Sequence, residues 1–308
     1  MEENRMYEQK DVEAQKVYDY AQSANSLFHF MKEYRFLKEI LLHRAIVPRF
    51  YVEDMEYLDL DLMGHHFQEI AVLQKCFCDI PFHQISNIAR TDRFDKEKRI
   101  QEQKDQQDYY CHTDIYGEYG IAFSKEWAES HDVQPVHYIN EKTGFCRNFT
   151  QAIRLAFEAD ELDEGIADSF LQQLAFMKPL KGWMPVKDGY VYKNFHDERE
   201  WRYVPEKGQE EIDPVIANPN ICSTRGQLDW MSDSLKQSVY QDLWLRYEYD
   251  DIAYLIVPDN FARQQLIETI MEIPKEMFQS PEEESSALRQ RLTLVSKIVV
   301  LNQIRKDF

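Results

Sequence analysis

The chain has 308 residues, of which 44% are hydrophobic and 13% aromatic, enough for a sizeable core in one large domain or two small ones. Its 55 acidic and 36 basic side chains give a net charge of −19, which repels nucleic acid and anionic membrane unless a local basic patch offsets it. The scattered, odd set Cys76, Cys78, Cys111, Cys146 and Cys222 argues against a disulfide framework. The N-terminal residues lack the apolar stretch of a signal peptide, and no apolar run approaches the roughly 20 residues of a membrane span. A cytoplasmic protein without membrane contact is expected.

Residues 1–22 are sparsely apolar and read as an N-terminal arm, with a single α+β domain over 23–308. Ser26 to Phe30 reads as a strand, and Phe36, Leu37, Ile40 and Leu41 repeat at helical spacing before Pro48 turns the chain into an extended Arg49–Val52. Ala71–Leu73 and Cys76–Cys78 form a second apolar run, followed by a short amphipathic helix after Pro81. The charged, glutamine-rich stretch near 91–108 is read as a polar insertion. Gly117 and Gly120 break the chain before the strand Ile121–Ser124, and Lys125–Ala128 opens a helix. Pro135–Ile139 is the next strand, and 149–178 reads as a helical insertion with an acidic face. Tyr190–Tyr192, Glu200–Val204, Ile252–Val257 and Lys297–Leu301 read as strands, and Phe261–Met271 as a helix. Strands and helices mix without regular alternation, which predicts an α+β fold and not a doubly wound sheet.

No Gly-x-Gly-x-x-Gly, Gly-Lys-Ser/Thr or Gly-x-Ser-x-Gly string occurs, so dinucleotide-fold, P-loop and nucleophile-elbow readings fall away. Zinc would need clustered Cys and His ligands. The nearest sets are Cys76-x-Cys78 with His83, and Cys111-His112. The expectation is that Cys76 and Cys78 point to opposite faces of a strand, so no metal is assigned. Asp59, Asp61 and the 197–200 acids are a weaker candidate for a divalent ion.

The densest polar cluster beside an apolar strand is Asp197-Glu198-Arg199-Glu200-Trp201-Arg202. Glu198 and Glu200 are two apart and would project to one side of a strand, where mutual repulsion can tune one of them for acid–base or cation-stabilising work. His29 sits among apolar neighbours, and Tyr116, Tyr119 and Phe123 gather around two glycines. A satisfied core is the plain reading of each taken alone.

Taken in order, Leu27-Phe28-His29-Phe30, Cys76-Phe77-Cys78-Asp79-Ile80-Pro81, Tyr119 through Trp127 and Asp197 through Pro205 resemble the AbiGi family of abortive-infection proteins. That resemblance implies phage defence and a cognate toxin, antitoxin or other operon-encoded partner. The skeleton is also similar, more distantly, to ADP-ribosyltransferase-like folds of the DarT type. This second likeness implies a mixed, largely antiparallel, split sheet flanked by helices, NAD as substrate and a nucleic-acid or protein acceptor. By motif position it makes His29 the ribose contact, Tyr116 or Tyr119 the nicotinamide stack with Phe123 and Ser124 beside it, Glu200 the catalytic acid and Glu198 its partner. A fixed carboxylate would stabilise the oxocarbenium ion formed as nicotinamide leaves. The alternative is a non-enzymatic antitoxin or sensor that holds its partner through an acidic surface.

Overall fold

A computed structural model describes residues 24–62, 65–85, 112–158, 164–186, 189–206, 212–217, 225–278 and 284–307. The expected N-terminal arm and the polar insertion near 91–108 lie outside these residues.

Among the described residues, nine strands form one sheet. Seven run in the order β17 (Ile298–Val300), β16 (Ile252–Val257), β7 (Tyr119–Ser124), β1 (Ser26–Met31), β6 (Glu69–Cys78), β13 (Glu200–Tyr203) and β8 (Val133–Pro135). β3 (Arg49–Asp54) and β14 (Val215–Ile216) pair with the far end of the long β6. Only β16 with β17 is parallel within this sheet. Four two-stranded ladders accompany it: β2 (Ala45–Ile46) with β15 (Leu245–Arg246), β4 (Leu60–Leu62) with β5 (His65–Phe67), β9 (His137–Ile139) with β10 (Met177–Pro179), and β11 (Lys181–Val186) with β12 (Gly189–Asn194). The architecture is therefore α+β with a mixed, mostly antiparallel sheet.

Side chains alternate across a strand, so the register sorts residues onto two faces. Leu27, Met31, Phe77, Ile121 and Phe123 define one face. It is covered by α1 (Tyr34–His43), α3 (Lys125–Ser130), α7 (Asn260–Glu272) and α8 (Glu284–Ser296), whose buried apolar residues join the same cluster. Phe28, Phe30, Cys78 and Ala122 define the opposite face and pack against Tyr116 of α2 (His112–Tyr116) and Leu301, which opens α9 (Leu301–Asp307). Further along that second face, Ile70 and Val72 of β6 pack under α4 (Gly144–Phe157) and α5 (Glu164–Ala175). A fourth cluster joins Ala71 and Leu73 to Leu228 of α6 (Arg225–Ser234).

Several elements depart from the sequence reading. The expected helix over 149–178 is α4 and α5, and it ends early enough for Met177–Pro179 to form β10. Pro135–Ile139 divides into the end of β8 and β9, which belong to different sheets, because the Val136 N–H is taken by the Glu200 carbonyl and the His137 N–H by Phe176. β11 was not expected, since its Gly182 and Pro185 weaken any strand signal.

Candidate functional site

The register settles where the acids lie. Glu200 stands opposite Cys78, and Cys78 opposite Phe28, so Glu200 shares the face of Phe28 and Phe30. Glu198 is not on the strand. It closes a 3-10 turn over Phe195–Glu198, and Arg199 at φ 44 redirects the chain into β13. The two carboxylates still converge, through their cations rather than through strand alternation.

Lys178 Nζ donates to Glu198 Oε2 at 3.1 Å and to Glu200 Oε2 at 2.8 Å. Lys193 Nζ donates to Glu198 Oε1 at 2.6 Å, and the Tyr116 hydroxyl donates to the same oxygen. The Arg202 Nε donates to Glu200 Oε1 at 2.6 Å, and its Nη1 donates to the Ala175 carbonyl at 2.6 Å. Its Nη2 lies 2.8 Å from Glu53 as an ion contact without hydrogen-bond alignment. Glu198, Glu200 and Arg202 are buried. Three cations thus meet three carboxylates in the seam between the two apolar clusters of that face.

Burial alone would raise the Glu200 carboxyl, but Arg202 and Lys178 overturn it and hold the group well below the carboxylate range. Lys178 and Lys193 do the same for Glu198 against its own burial. The Lys178 ammonium, which burial alone would discharge, is held protonated by Glu200 and Glu198. Burial and the Glu198 charge push the Tyr116 phenol far up, so it stays a hydrogen-bond donor. Both acids are therefore fixed as anions with their oxygens occupied, which is the state of a structural ion network.

His29 is not part of this cluster. It stands opposite Ile121, faces Phe77 at 5.7 Å between ring centroids, and lies on the face away from Glu200. Its Nδ1 donates to the Cys76 carbonyl at 2.9 Å, and burial followed by the Lys75 charge pushes its pKa down to about 3. The expected convergence of His29 with the acid pair is thus corrected: the sheet itself separates them. Tyr119 stands opposite Met31 on His29's face and meets Tyr34. Phe123 is wholly buried on that face and stacks on Trp127 at 4.1 Å. The Ser124 hydroxyl accepts from the Trp127 N–H at 3.1 Å and caps α3. Of the sequence candidates, the structure brings together Tyr116, Glu198 and Glu200 alone.

The residues that sequence reasoning missed are Lys178, absorbed into the expected helix, Lys193, and His112, weighed only as a zinc ligand. The His112 ring meets Tyr116 at 4.5 Å and Phe30 at 5.1 Å, and among the described residues its buried Nδ1 has no partner. Burial and then the Lys193 charge push its pKa down to about 3. Cys76 and Cys78, being two apart, share one face, contrary to expectation. Both are free thiols raised by burial, and among the described residues no group of three His, Cys, Asp or Glu could hold a metal. No helix of the described residues is long and apolar enough to cross a membrane.

Fold and site together define an α+β protein whose one sheet face is sealed by a buried ion network. The family model described as "Putative abortive phage resistance protein AbiGi, antitoxin" matches residues 104–258. That stretch holds Tyr116, Lys178, Lys193, Glu198, Glu200 and Arg202 but not His29. The "Abortive phage resistance protein AbiGi" of Lactococcus lactis subsp. cremoris is 28% identical over 276 residues, covering 86% of this chain and all of that protein. The chain belongs to the AbiGi family. No solved structure matches it.

Proposed function

We propose that this chain serves phage defence as the antitoxin-type, partner-binding component of its system, acting by association with a toxin and not by transfer from NAD. The observation that carries this is the closure of the acid pair. Every oxygen of Glu198 and Glu200 is engaged by Lys178, Lys193, Arg202 or Tyr116, and the imidazole expected to work with them lies beyond the sheet. A carboxylate that is to stabilise an oxocarbenium ion has to face the substrate. The net charge of −19 favours a basic partner through long-range steering.

The test is co-expression with the product of the gene cotranscribed with this one. A stoichiometric complex that survives size exclusion, together with no release of nicotinamide from NAD by either the free protein or the complex, is the expected result. Nicotinamide release that disappears in Glu200→Gln would overturn the proposal.

A second reading keeps an ADP-ribosyltransferase-like enzyme, and one observation favours it. Tyr116, Glu198 and the imidazole of His112, whose Nδ1 has no partner among the described residues, sit together on the acid face. That enzyme would use His112 where motif order pointed to His29, and His112→Ala would then abolish the same nicotinamide release.

A further inference from the structure

The inner side of α4 is built to hold a short stretch of chain against it. Thr150 Oγ1 donates to the Leu58 carbonyl at 2.9 Å, the Cys146 thiol reaches the Tyr57 carbonyl at 3.8 Å, and Ile153 is fully buried. Beside this seam lies a cleft of 460 Å³, within the roughly 300–1,000 Å³ of ligand-sized pockets. Arg147, Gln151 and Arg154 line it from one face of the helix, with Glu141 and Asp59 at its edges.

The two arginines are the anomaly. The chain carries 55 acidic side chains, yet among the described residues neither guanidinium meets a carboxylate. Arg147 reaches only the Lys142 carbonyl at 3.2 Å, and Arg154 only the Asp59 carbonyl at 3.3 Å. Among the described residues the buried Arg154 Nε has no partner. A guanidinium carries five N–H donors, so a carboxylate arriving from outside would find strong charge-assisted bonds to make at its accessible edge. Leu155, which also lines the cleft, stands open beside the arginines at 60% exposure. Seven residues of helix set the two arginines about 10 Å apart, too far for one small acid to meet both.

We propose that this face of α4 is the docking surface for the partner protein, which seats a carboxylate-bearing segment between Arg147 and Arg154 and covers Leu155. Arginine is among the residues enriched at interfaces and at their hot spots. Glu141 and Asp59 at the rim would repel a free polyanion, whereas a protein segment can answer them with basic side chains. This inference rests on the partner-binding reading given above.

The test titrates the purified cotranscribed product against wild type, Arg154→Glu, Arg147→Glu and Leu155→Ser, with thermal melts confirming that each variant folds. Arg154→Glu and Leu155→Ser are each expected to weaken the complex at least about tenfold. Trp183→Ser, at a 63% exposed aromatic on the β11–β12 hairpin, should leave it unchanged. A complex that forms normally with every α4 variant, or that is lost in Trp183→Ser instead, overturns the docking surface while leaving the partner reading intact. If wild type forms no complex, both fail. Arg154-dependent binding of free glutamate in place of the protein would also overturn it, by making the cleft a small-molecule site.

Discussion

Glu200 keeps its charge in the interior because Arg202 and Lys178 replace the water it loses. Removing one member of such a network is costlier than the network is valuable, since the remaining charges stay buried without answer. Glu200→Gln is accordingly expected to destabilise the fold by about 3 kcal/mol, read as a shifted urea midpoint with unchanged slope. An unshifted midpoint would mean that Arg202 finds other partners and that the seam does not depend on Glu200. At this scale the sequence identified Glu198 and Glu200 as a pair, because acids beside an apolar strand are conspicuous. For His29 the plain reading, a satisfied core histidine, is the one its bond to the Cys76 carbonyl supports. Only the resemblance set it against the acids, because an imidazole between apolar neighbours looks the same on either face of a sheet. Lys178 and Lys193 were invisible for a related reason: a lysine next to Met177 or Tyr192 gives no sign that its ammonium turns inward.

The elements place these side chains through a few backbone decisions. Gly117 adopts φ +104, and a Cβ there would stand 2.1 Å from the Met31 carbonyl oxygen. It lets α2 end directly against β1, which sets Tyr116 over the acids. Gly117→Ala is therefore expected to cost more than about 2 kcal/mol, both from the positive φ and from the clash. A thermal melt measures it, and a melting point like wild type would mean that the α2–β1 junction can give way. The Ser124 cap is the counterpart on the other side, a polar residue between a strand and a helix that the motif order made a cofactor contact. Its Ser-x-x-Trp spacing instead fits the ordinary task of satisfying a free N–H at a helix start. Strand and helix types were mostly legible from apolar periodicity. The splitting of 149–178 was not, because Phe176 and Met177 continue the helical pattern while the backbone of the following residues is needed by β9.

For the molecule as a whole, the buried histidines and glutamates set the response to acid with one sign. His29 and His112 fall from the ordinary 6.5 to about 3, so between those values the unfolded chain binds protons that the folded one refuses. Stability then drops as pH falls through that window, by up to about 1.4 kcal/mol per pH unit for each group. Glu198 and Glu200 are lowered from 4.5, so their contribution is present above that value and is lost on further acidification. Chemical denaturation between pH 7 and 4 should show the fall, and the double variant His29→Gln, His112→Gln should flatten it above pH 4.5 only. A wild-type profile without slope between pH 6.5 and 4.5 would place both imidazoles in contact with water. The amino-acid order by itself determined the family and the α+β class, since short strings and periodicities are local properties of the chain. Only the tertiary structure decided which face of the sheet each group occupies, which cations close over Glu198 and Glu200, and which arginines are left unanswered. Those depend on strand register and on segments tens to hundreds of residues apart, and a shift of one position would have moved every side chain to the other face.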